Sequence, residues 1–238
     1  MPTLAVIIQN YKRPQNIAPV VRNARAALPD SPILLLDQAD DASLRERAEI
    51  PWNEVWYQKA AVNRGAGARV PLAASLPFDL YLAIDDDTFL SPAQIAALTQ
   101  RLVAEPDRAH GVWGQRLESK EGQLVMRNNM GYIDAALSIL NTAYAFSRTQ
   151  AQAAIALAAQ LGLAAWPERD PVDDILLSCG SAKAPLCHNL GPIAFCATST
   201  QPGVATWREA NFSRRRAEVV GRLAGLQAIA VFPPMQAR

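Results

Sequence analysis

Residues Leu80–Thr88, LYLAIDDDT, decide the fold class of this sequence, because an apolar run ends there in three consecutive carboxylates. A short apolar run bounded by polar residues is typical of a strand that is buried on both faces of a parallel sheet. Adjacent like charges repel one another, and each resists burial unless a cation or hydrogen-bond donors lie close by. The stretch therefore predicts a buried strand with a bound cation at its carboxyl end.

Comparable apolar runs occur earlier in the chain and alternate with helical patterns. Strands are predicted at Leu4–Gln9 (LAVIIQ), at Ile33–Asp37 (ILLLD) and at residues 54–58 (EVWYQ). Helices are predicted from Pro14 to about residue 28 and, in a charged segment, at residues 42–49. This alternation predicts a mostly parallel, doubly wound α/β sheet.

The second half of the sequence is less regular and contains neither an internal repeat nor an interdomain linker. Ser91 and Gly162 supply end signals for two of its helices. The predicted elements are helices at residues 91–105, 147–162, 171–180 and 207–226 and strands at residues 110–118 and 122–128.

Polar residues at the ends of the predicted strands are candidate site residues, because ligands of doubly wound sheets bind beyond the carboxyl ends of the strands. Gln9–Arg13, Asp37 and Asp85–Asp87 occupy such positions and are predicted to line one crevice. Alternate residues of an extended chain point to the same side, so the first and third aspartates can face this crevice while the second faces away or contacts a sugar. Carboxylate oxygens suit Mg²⁺ or Mn²⁺. We favour a metal site over a polar turn, because Ser91 already caps the next helix.

Three further motifs are ambiguous when taken alone. Asn63–Arg69 (NRGAGAR) has glycines beside arginines, which lets the backbone approach a phosphate, but it equally fits a flexible helix start. Asp173 and Asp174 begin a predicted helix, where the helix dipole alone explains them. Arg214–Arg216 spread by about 100° per residue around the last helix, so only one or two of them can point into one pocket.

The composition disfavours several classes of function. Half of the 238 residues are hydrophobic, 19% are charged and the net charge is +1, which argues against disorder and against nucleic-acid binding. Neither His110 nor His188 has a G-x-S-x-G motif nearby, so a serine hydrolase is disfavoured. The three cysteines lack C-x-x-C spacing, which predicts reduced thiols. Without a signal-peptide pattern or a membrane-length apolar segment, we expect a cytoplasmic protein with at most peripheral membrane contact.

Taken in order, these motifs resemble those of the exostosin-like family, glycosyltransferase family 64. The resemblance extends from about residue 4 to about residue 223. The matching features are the strand that leads into Gln9–Arg13, the Asn63–Arg69 segment, Asp85–Thr88 (DDDT), Arg116 at the end of GVWGQR, Asp173–Ile175 (DDI) and a closing helix with Trp207 and Arg216. Phe212 stands where the family commonly has a histidine.

The resemblance implies a single domain of the GT-A glycosyltransferase fold over residues 1–238, with a Rossmann-like, mostly parallel central sheet flanked by helices. Residues 1 to about 104 would form the nucleotide-binding half, and residues from about 105 to 238 the acceptor-binding half with the closing C-terminal helix. The implied reaction transfers a hexosyl or N-acetylhexosaminyl group, with retention at the anomeric carbon, from a UDP-sugar to a hydroxyl of a glycan or lipid-linked acceptor. The implied cofactor is Mn²⁺ or Mg²⁺.

The resemblance also implies roles for individual residues. Asp87 would bind the metal ion, Arg216 would bind the departing diphosphate, and Asp174 would stabilise the sugar cation or orient the acceptor hydroxyl. The other contacts to the nucleotide sugar would come from Gln9, Tyr11, Arg13, Asp37, Asn63, Arg64, Arg69, Asp85, Asp86 and Arg116. Arg64 and Arg69 are alternatives for the same contact.

Two other functions stay open on the sequence alone. A sugar nucleotidyltransferase also holds Mg²⁺ at the end of such a sheet, but it normally has a glycine-rich loop after the first strand, and IIQNYKRPQN contains no glycine. A non-catalytic nucleotide-sugar or carbohydrate-binding protein would not need the full set of acids and arginines.

Overall fold

The computed structural model describes residues 2–39, 44–47, 49–163, 166, 170–181 and 183–235. In these ranges the strands are β1 (Leu4–Asn10), β2 (Ile33–Asp37), β3 (Val55–Lys59), β4 (Leu80–Ile84), β5 (Thr88–Phe89), β6 (His110–Lys120), β7 (Gln123–Gly131), β8 (Ala135–Ala136), β9 (Ile139–Ser147), β10 (Leu186–Cys187) and β11 (Ala194–Phe195). The α-helices are α1 (Pro14–Ala27), α2 (Arg69–Ser75), α3 (Pro92–Ala104), α4 (Arg148–Gln160), α5 (Asp173–Cys179) and α6 (Phe212–Gly225).

A nine-stranded sheet forms the centre of the fold, in the order β3-β2-β1-β4-β9-β6-β10-β8, with β7 paired to β6. The first four of these strands are mutually parallel. Strand β9 is antiparallel to both of its neighbours, β4 and β6. The predicted α/β class is confirmed, and strands from both of the predicted halves of the chain lie in one sheet.

Apolar side chains cover both faces of this sheet, because alternate residues of each buried strand point to opposite sides. On β1, Ala5 and Ile7 pack in the cluster that includes the apolar faces of α2, α4, α5 and α6. Val6 and Ile8 pack in the other cluster, with α1 and α3. Burial of each large aliphatic side chain contributes about 1.5–3 kcal/mol to the free energy of unfolding. Packing on both faces of the sheet therefore holds the strand ends in place.

Strand β9 is the central element that the sequence pattern did not predict. Its apolar residues flank a polar pair, Asn141 and Thr142, and Thr142 has a positive φ of 73°. The pair interrupts the apolar run that identifies a buried strand. Both polar residues line the cleft described below, so the interruption marks the site.

The helix ends follow their sequence signals. Ser91 accepts a hydrogen bond from the backbone of Gln94 in a capping box at the start of α3. Gly162 adopts a φ of 62° after α4, as a helix-closing glycine does. Helix α6 begins only at Phe212, because a short 3₁₀ turn occupies Thr206–Arg208.

One predicted helix is not observed where the chain is described. Residues 42, 43 and 48 of the predicted helix at residues 42–49 lie outside the described residues, and Leu44–Glu46 forms a turn. Among the described helices, none combines the length and the apolar character that crossing a membrane requires. All three cysteines are free thiols.

The two histidines stack on each other between β6 and β10. Their ring centroids are 5.2 Å apart at an interplanar angle of 11°, and His110 Nδ1 lies 2.9 Å from His188 Nε2. Burial, together with the neighbouring imidazole, lowers the pKa of His188 to about 4. The pair is therefore a neutral, structural part of the sheet at neutral pH.

Candidate active site

A cleft of about 1080 Å³ opens beyond the carboxyl ends of β1 and β4 and is closed on the far side by β6, β7, α5 and α6. The predicted site residues that line it are Gln9, Tyr11, Arg13, Asn63, Arg69, Asp85, Asp86, Asp87, Asp174 and Arg216. Residues far apart in sequence therefore meet in one crevice, as the strand-end rule predicts.

Arg13 fastens the loop after β1 to the turn after β4. Its Nη1 lies 2.6 Å from Oδ1 of Asp86, and the backbone N–H of Tyr11 donates to the other carboxylate oxygen at 2.7 Å. The Asp86 side chain is only 6% exposed. Burial raises the pKa of Asp86 to about 7, although Arg13 and the Tyr11 amide favour its ionised form. Asp86 is thus a largely buried carboxylate at the cleft wall that holds the β1 loop.

Asp85 and Asp87 are the more exposed aspartates of the triplet at the cleft. Asp85 Oδ1 lies 2.6 Å from Nη2 of Arg69, and Asp87 Oδ2 lies 3.2 Å from Nη2 of Arg13. Their side chains are 33% and 19% exposed. Burial and then the charge of Asp85 raise the pKa of Asp87. A divalent cation would relieve this excess of negative charge.

The two carboxylates fit a cation of the kind that proteins share with a bound phosphate. Mg²⁺ and Mn²⁺ are often held by one or two carboxylates while water and substrate oxygens complete the shell. Over the part of the chain that the structure describes, no group of three or more His, Cys, Asp or Glu side chains could hold a metal ion. A cation at Asp87 would therefore depend on the ligand for its other contacts.

Arg69 links the end of β4 to the start of α5. Besides Asp85, its guanidinium lies 3.6 Å from Oδ2 of Asp173. The Arg69 side chain is 3% exposed, and its Nη1 has no hydrogen-bond partner among the described residues. An unpaired buried donor is costly, and the ion pairs of Arg69 with Asp85 and Asp173 offset that cost. Of the two predicted alternatives, Arg69 lies at the cleft, whereas Arg64 is exposed and contributes only its backbone N–H, to Gln38.

The two predicted catalytic residues form a bidentate ion pair. Nη1 and Nη2 of Arg216 lie 2.6 and 2.9 Å from the two carboxylate oxygens of Asp174. Arg216 also donates to the carbonyl oxygen of Pro171 and to Oε1 of Gln115. Four hydrogen bonds thus fix the guanidinium at the wall of the cleft.

Asp173 lies deeper than its neighbour and was not predicted as a site residue. It is 5% exposed and accepts a hydrogen bond from the hydroxyl of Tyr144 at 3.3 Å. Burial raises the pKa of Asp173 to about 6, against the effect of Arg69. The paired-aspartate motif that identified Asp174 could also have identified Asp173 as a site residue.

Asp37 does not line the cleft, contrary to the prediction. It is fully buried and accepts hydrogen bonds from Nδ2 of Asn10 at 2.7 Å and from the hydroxyl of Tyr57 at 2.9 Å, with Nζ of Lys59 at 3.1 Å. Three donors from neighbouring strands therefore occupy the carboxylate. Asp37 positions Asn10, which does line the cleft.

Arg116, another predicted ligand contact, does not line the cleft. Its guanidinium stacks 4.0 Å from the ring centroid of Phe232 and pairs with Glu118 at 3.5 Å, on the face of β6 away from the cleft. The register of β6 against β7 shifts between Gly114 and Arg116. The neighbouring Gln115 faces the cleft instead, and sequence reasoning missed it because the arginine carried the family motif.

Comparisons with known proteins agree on the fold. No family model matches the chain, and no curated protein matches it. The chain is similar to the crystal structure of S. aureus TarS 1–349 in complex with UDP-GlcNAc, with a TM-score of 0.58 and 12% sequence identity over 93% of this chain and 66% of that one. Structures of TarS 1–349 alone and in complex with UDP each give a TM-score of 0.52 and 14% identity over 94% of this chain and 72% of theirs.

These likenesses show the fold alone, which is shared with S. aureus TarS 1–349. The chain spans 66% of the length of the UDP-GlcNAc complex. The narrower resemblance to the exostosin-like family gains no support from the comparisons and stays a prediction.

Proposed function

We propose that the protein is a glycosyltransferase that uses a nucleotide diphosphate sugar, specifically a UDP-sugar, as its donor. The carrying observation is the cleft itself, where Asp85 and Asp87 at the end of β4 face the Arg216–Asp174 ion pair. Acids at one wall and a fixed guanidinium at the other suit a metal-bound diphosphate and a sugar between them. The GT-A fold and the UDP and UDP-GlcNAc complexes of TarS support the choice of donor.

Asp87 would hold a Mn²⁺ or Mg²⁺ ion, with Asp85 as its neighbour. When bound, such an ion neutralises charge on the diphosphate that departs. Arg13 keeps the Asp87 carboxylate in place, and Arg69 does the same for Asp85. The protein thus presents both carboxylates in fixed positions before the donor arrives.

Arg216 would bind the departing diphosphate and Asp174 would act on the sugar side. In the transfer, the bond between the anomeric carbon and the diphosphate oxygen breaks, and the electron pair leaves with UDP. The acceptor hydroxyl oxygen bonds to the anomeric carbon, and its proton passes to an oxygen of the departing diphosphate. Hydrogen bonds from Arg216 strengthen as charge develops on the leaving oxygen. Asp174, released from that arginine by the diphosphate, would stabilise the cationic sugar or orient the acceptor hydroxyl.

Two finer parts of the proposal rest on the motif resemblance. Retention at the anomeric carbon and membership in the exostosin-like family both follow from the order of the DDDT, DDI and closing-helix motifs. The anomeric configuration of the product, measured by NMR, tests retention directly. An inverted product would contradict both of these parts and leave the broader proposal standing.

The decisive experiment is a thermal-shift and UDP-release assay with UDP-GlcNAc, UDP-glucose and UDP-galactose, each with and without Mn²⁺. We expect at least one of them to raise the melting temperature when Mn²⁺ is present, because a ligand that binds only the folded state stabilises it. Slow release of UDP should follow. Stabilisation without UDP release would favour a binding protein, and pyrophosphate release from UTP with a sugar 1-phosphate would favour a nucleotidyltransferase. No shift with any donor would refute the proposal.

A further inference from the structure

The far end of the cleft is apolar, in contrast to the charged end beside β4. We name this part the apolar trough and define it by six residues that line the cleft. The residues are Leu117, Leu124, Met126, Ala217, Val220 and Gly221. The first three come from the β6–β7 hairpin and the last three from α6.

The periodicity of each element points these residues into the cleft. On β6, Trp113, Gln115 and Leu117 line it, and on β7 the alternate residues Leu124 and Met126 do so. On α6, positions 217, 220 and 221 have the i, i+3, i+4 spacing that forms one helix face. The trough is therefore built by regular elements.

The trough is an opening of the hydrophobic core. Leu117 and Val220 belong to the apolar cluster on this side of the sheet, and Met126 packs against that cluster. At the rim of the trough, Leu124 is 46% exposed. Apolar surface that is continuous with a core and open inside a ligand cleft is typically covered by an apolar part of the ligand.

Trp113 connects the trough to the candidate catalytic centre. A Cβ atom at Gly131 would lie 2.0 Å from the ring of Trp113, so the absence of a side chain at this glycine makes room for the ring. Tyr132 and Phe195 hold the ring by edge contacts at centroid distances of 5.3 and 5.5 Å. Phe195 pairs with Thr88, directly after Asp87. An aromatic side chain at this junction suits the apolar face of a sugar ring.

We propose that the acceptor is a sugar linked to an apolar chain, with the sugar beside Trp113 and the chain in the apolar trough. This inference rests on the proposed function and deepens it. A chain that enters the trough leaves water and gains contacts with Leu124 and Met126. A fully polar acceptor would leave this apolar surface in contact with water or with the hydroxyl groups of the acceptor. The aliphatic side chains of the trough offer those hydroxyl groups no hydrogen-bond partners.

Binding of alkyl glucosides tests the proposal without any nucleotide. Tryptophan fluorescence would be titrated with n-octyl β-D-glucoside, below its micellar concentration, and with methyl β-D-glucoside. Each methylene that leaves water strengthens binding by about fourfold, so we expect the octyl compound to bind at least about tenfold more tightly. Equal affinities for the two glucosides would overturn the proposal.

Two neighbouring substitutions separate specific binding from general adsorption of a detergent. Leu124→Gln changes the trough, whereas Val125→Gln changes a residue of similar exposure, 43%, that alternation directs to the opposite face of β7. We expect Leu124→Gln to remove most of the octyl preference and Val125→Gln to preserve it. An equal loss in both variants, or no loss in either, would contradict the trough assignment.

The same variants distinguish this inference from the proposed function. Both should keep the melting-temperature rise that a UDP-sugar and Mn²⁺ produce, because neither residue belongs to the nucleotide end of the cleft. Absence of that rise in the unaltered protein would contradict the proposed function. Its presence together with no Leu124-dependent octyl preference would contradict only the proposed acceptor.

Discussion

Asp174 and Arg216 neutralise each other in the structure, which explains how two opposite charges stay buried at the wall of an open cleft. Their side chains are 13% and 9% exposed, and a buried charge without a partner would cost several kcal/mol. A diphosphate that takes over Arg216 would leave Asp174 as a free carboxylate beside the sugar. The ion pair therefore keeps the carboxylate and the guanidinium that the proposed reaction uses bound to each other until the donor binds.

Asp174→Asn and Asp87→Asn should separate catalysis from donor binding. Asp174→Asn is expected to lower the rate of sugar transfer by roughly a hundredfold or more while the stabilisation by a UDP-sugar with Mn²⁺ persists. Asp87→Asn should remove the part of this stabilisation that depends on Mn²⁺. Transfer rates and melting temperatures of both variants check the split, and normal turnover by Asp174→Asn would refute its assignment.

Asp173 should make stability depend on pH. Because burial raises its pKa to about 6 in the folded state, compared with about 3.9 when unfolded, the folded protein binds more protons between these values. The contribution of Asp173 to the unfolding free energy should therefore fall as pH rises from about 4 to 6, by at most about 1.4 kcal/mol per pH unit.

Asp173→Asn removes this contribution. Urea unfolding of both proteins at pH 5 and pH 7.5 should show the variant gaining stability relative to the unaltered protein at the higher pH. A difference between the two proteins that is constant with pH would contradict the raised pKa.

The sequence predicted those residues of the candidate site that directly follow a buried strand. Gln9, Arg13 and the three aspartates after β4 needed only the position of a buried strand. Asp37 and Arg116 carry the same strand-end and motif signals but do not line the cleft. Neighbouring side chains already bind their charged groups. Hydrogen bonds from other strands and a register shift in β6 decided those cases, and neither can be read from local sequence.

At the scale of the element, the β6–β7 hairpin sets the shape of the acceptor side. Its two strands cross the cleft wall, and the turn residues Glu121 and Gly122 both have a positive φ, 53° and 81°. Such a two-residue turn matches the twist of the strands and fixes their register. The alternation that separates Leu124 from Val125 depends on that register.

Gly114 should be intolerant of any side chain because β9 passes too close. A Cβ there would lie 2.1 Å from the carbonyl oxygen of Ile139. We expect Gly114→Ala to destabilise the protein by about 3 kcal/mol or more. Gly225→Ala, at the end of α6 with open space around the added carbon, is the matched control and should be neutral or slightly stabilising. Chemical denaturation checks both, and equal stabilities would contradict the close packing of β6 on β9.

The elements themselves were predictable in proportion to the regularity of their apolar patterns. Continuous apolar runs predicted strands β1, β2 and β4. Helix-start and helix-end signals predicted helices α1, α3 and α4. Strand β9 was missed because its polar pair serves the cleft rather than the core. The start of α6 was placed too early, since the 3₁₀ turn at Thr206–Arg208 carries helix-like composition.

At the scale of the whole molecule, the shared sheet makes the two predicted halves interdependent. Strand β4 of the first half pairs with β9 of the second along five residue pairs. We therefore expect one cooperative thermal transition, with far-ultraviolet circular dichroism and tryptophan fluorescence giving the same midpoint. A UDP-sugar with Mn²⁺ should move both midpoints together, by the equivalent of about 2.7 kcal/mol at a hundredfold excess over Kd. Two separate transitions would show that the halves fold independently.

The stacked histidines between β6 and β10 have a consequence for proton exchange on unfolding. Since the pKa of His188 is lowered to about 4 by burial and by His110, the chain takes up a proton there when it unfolds between that value and about 6.5. Asp173 releases one over much of the same range. The two exchanges oppose each other, so each group weakens the effect of the other on the pH dependence of stability. Replacing His188 by Asn would leave the aspartate unopposed, and denaturation curves across pH 5–7 should then show a steeper loss of stability as the pH rises.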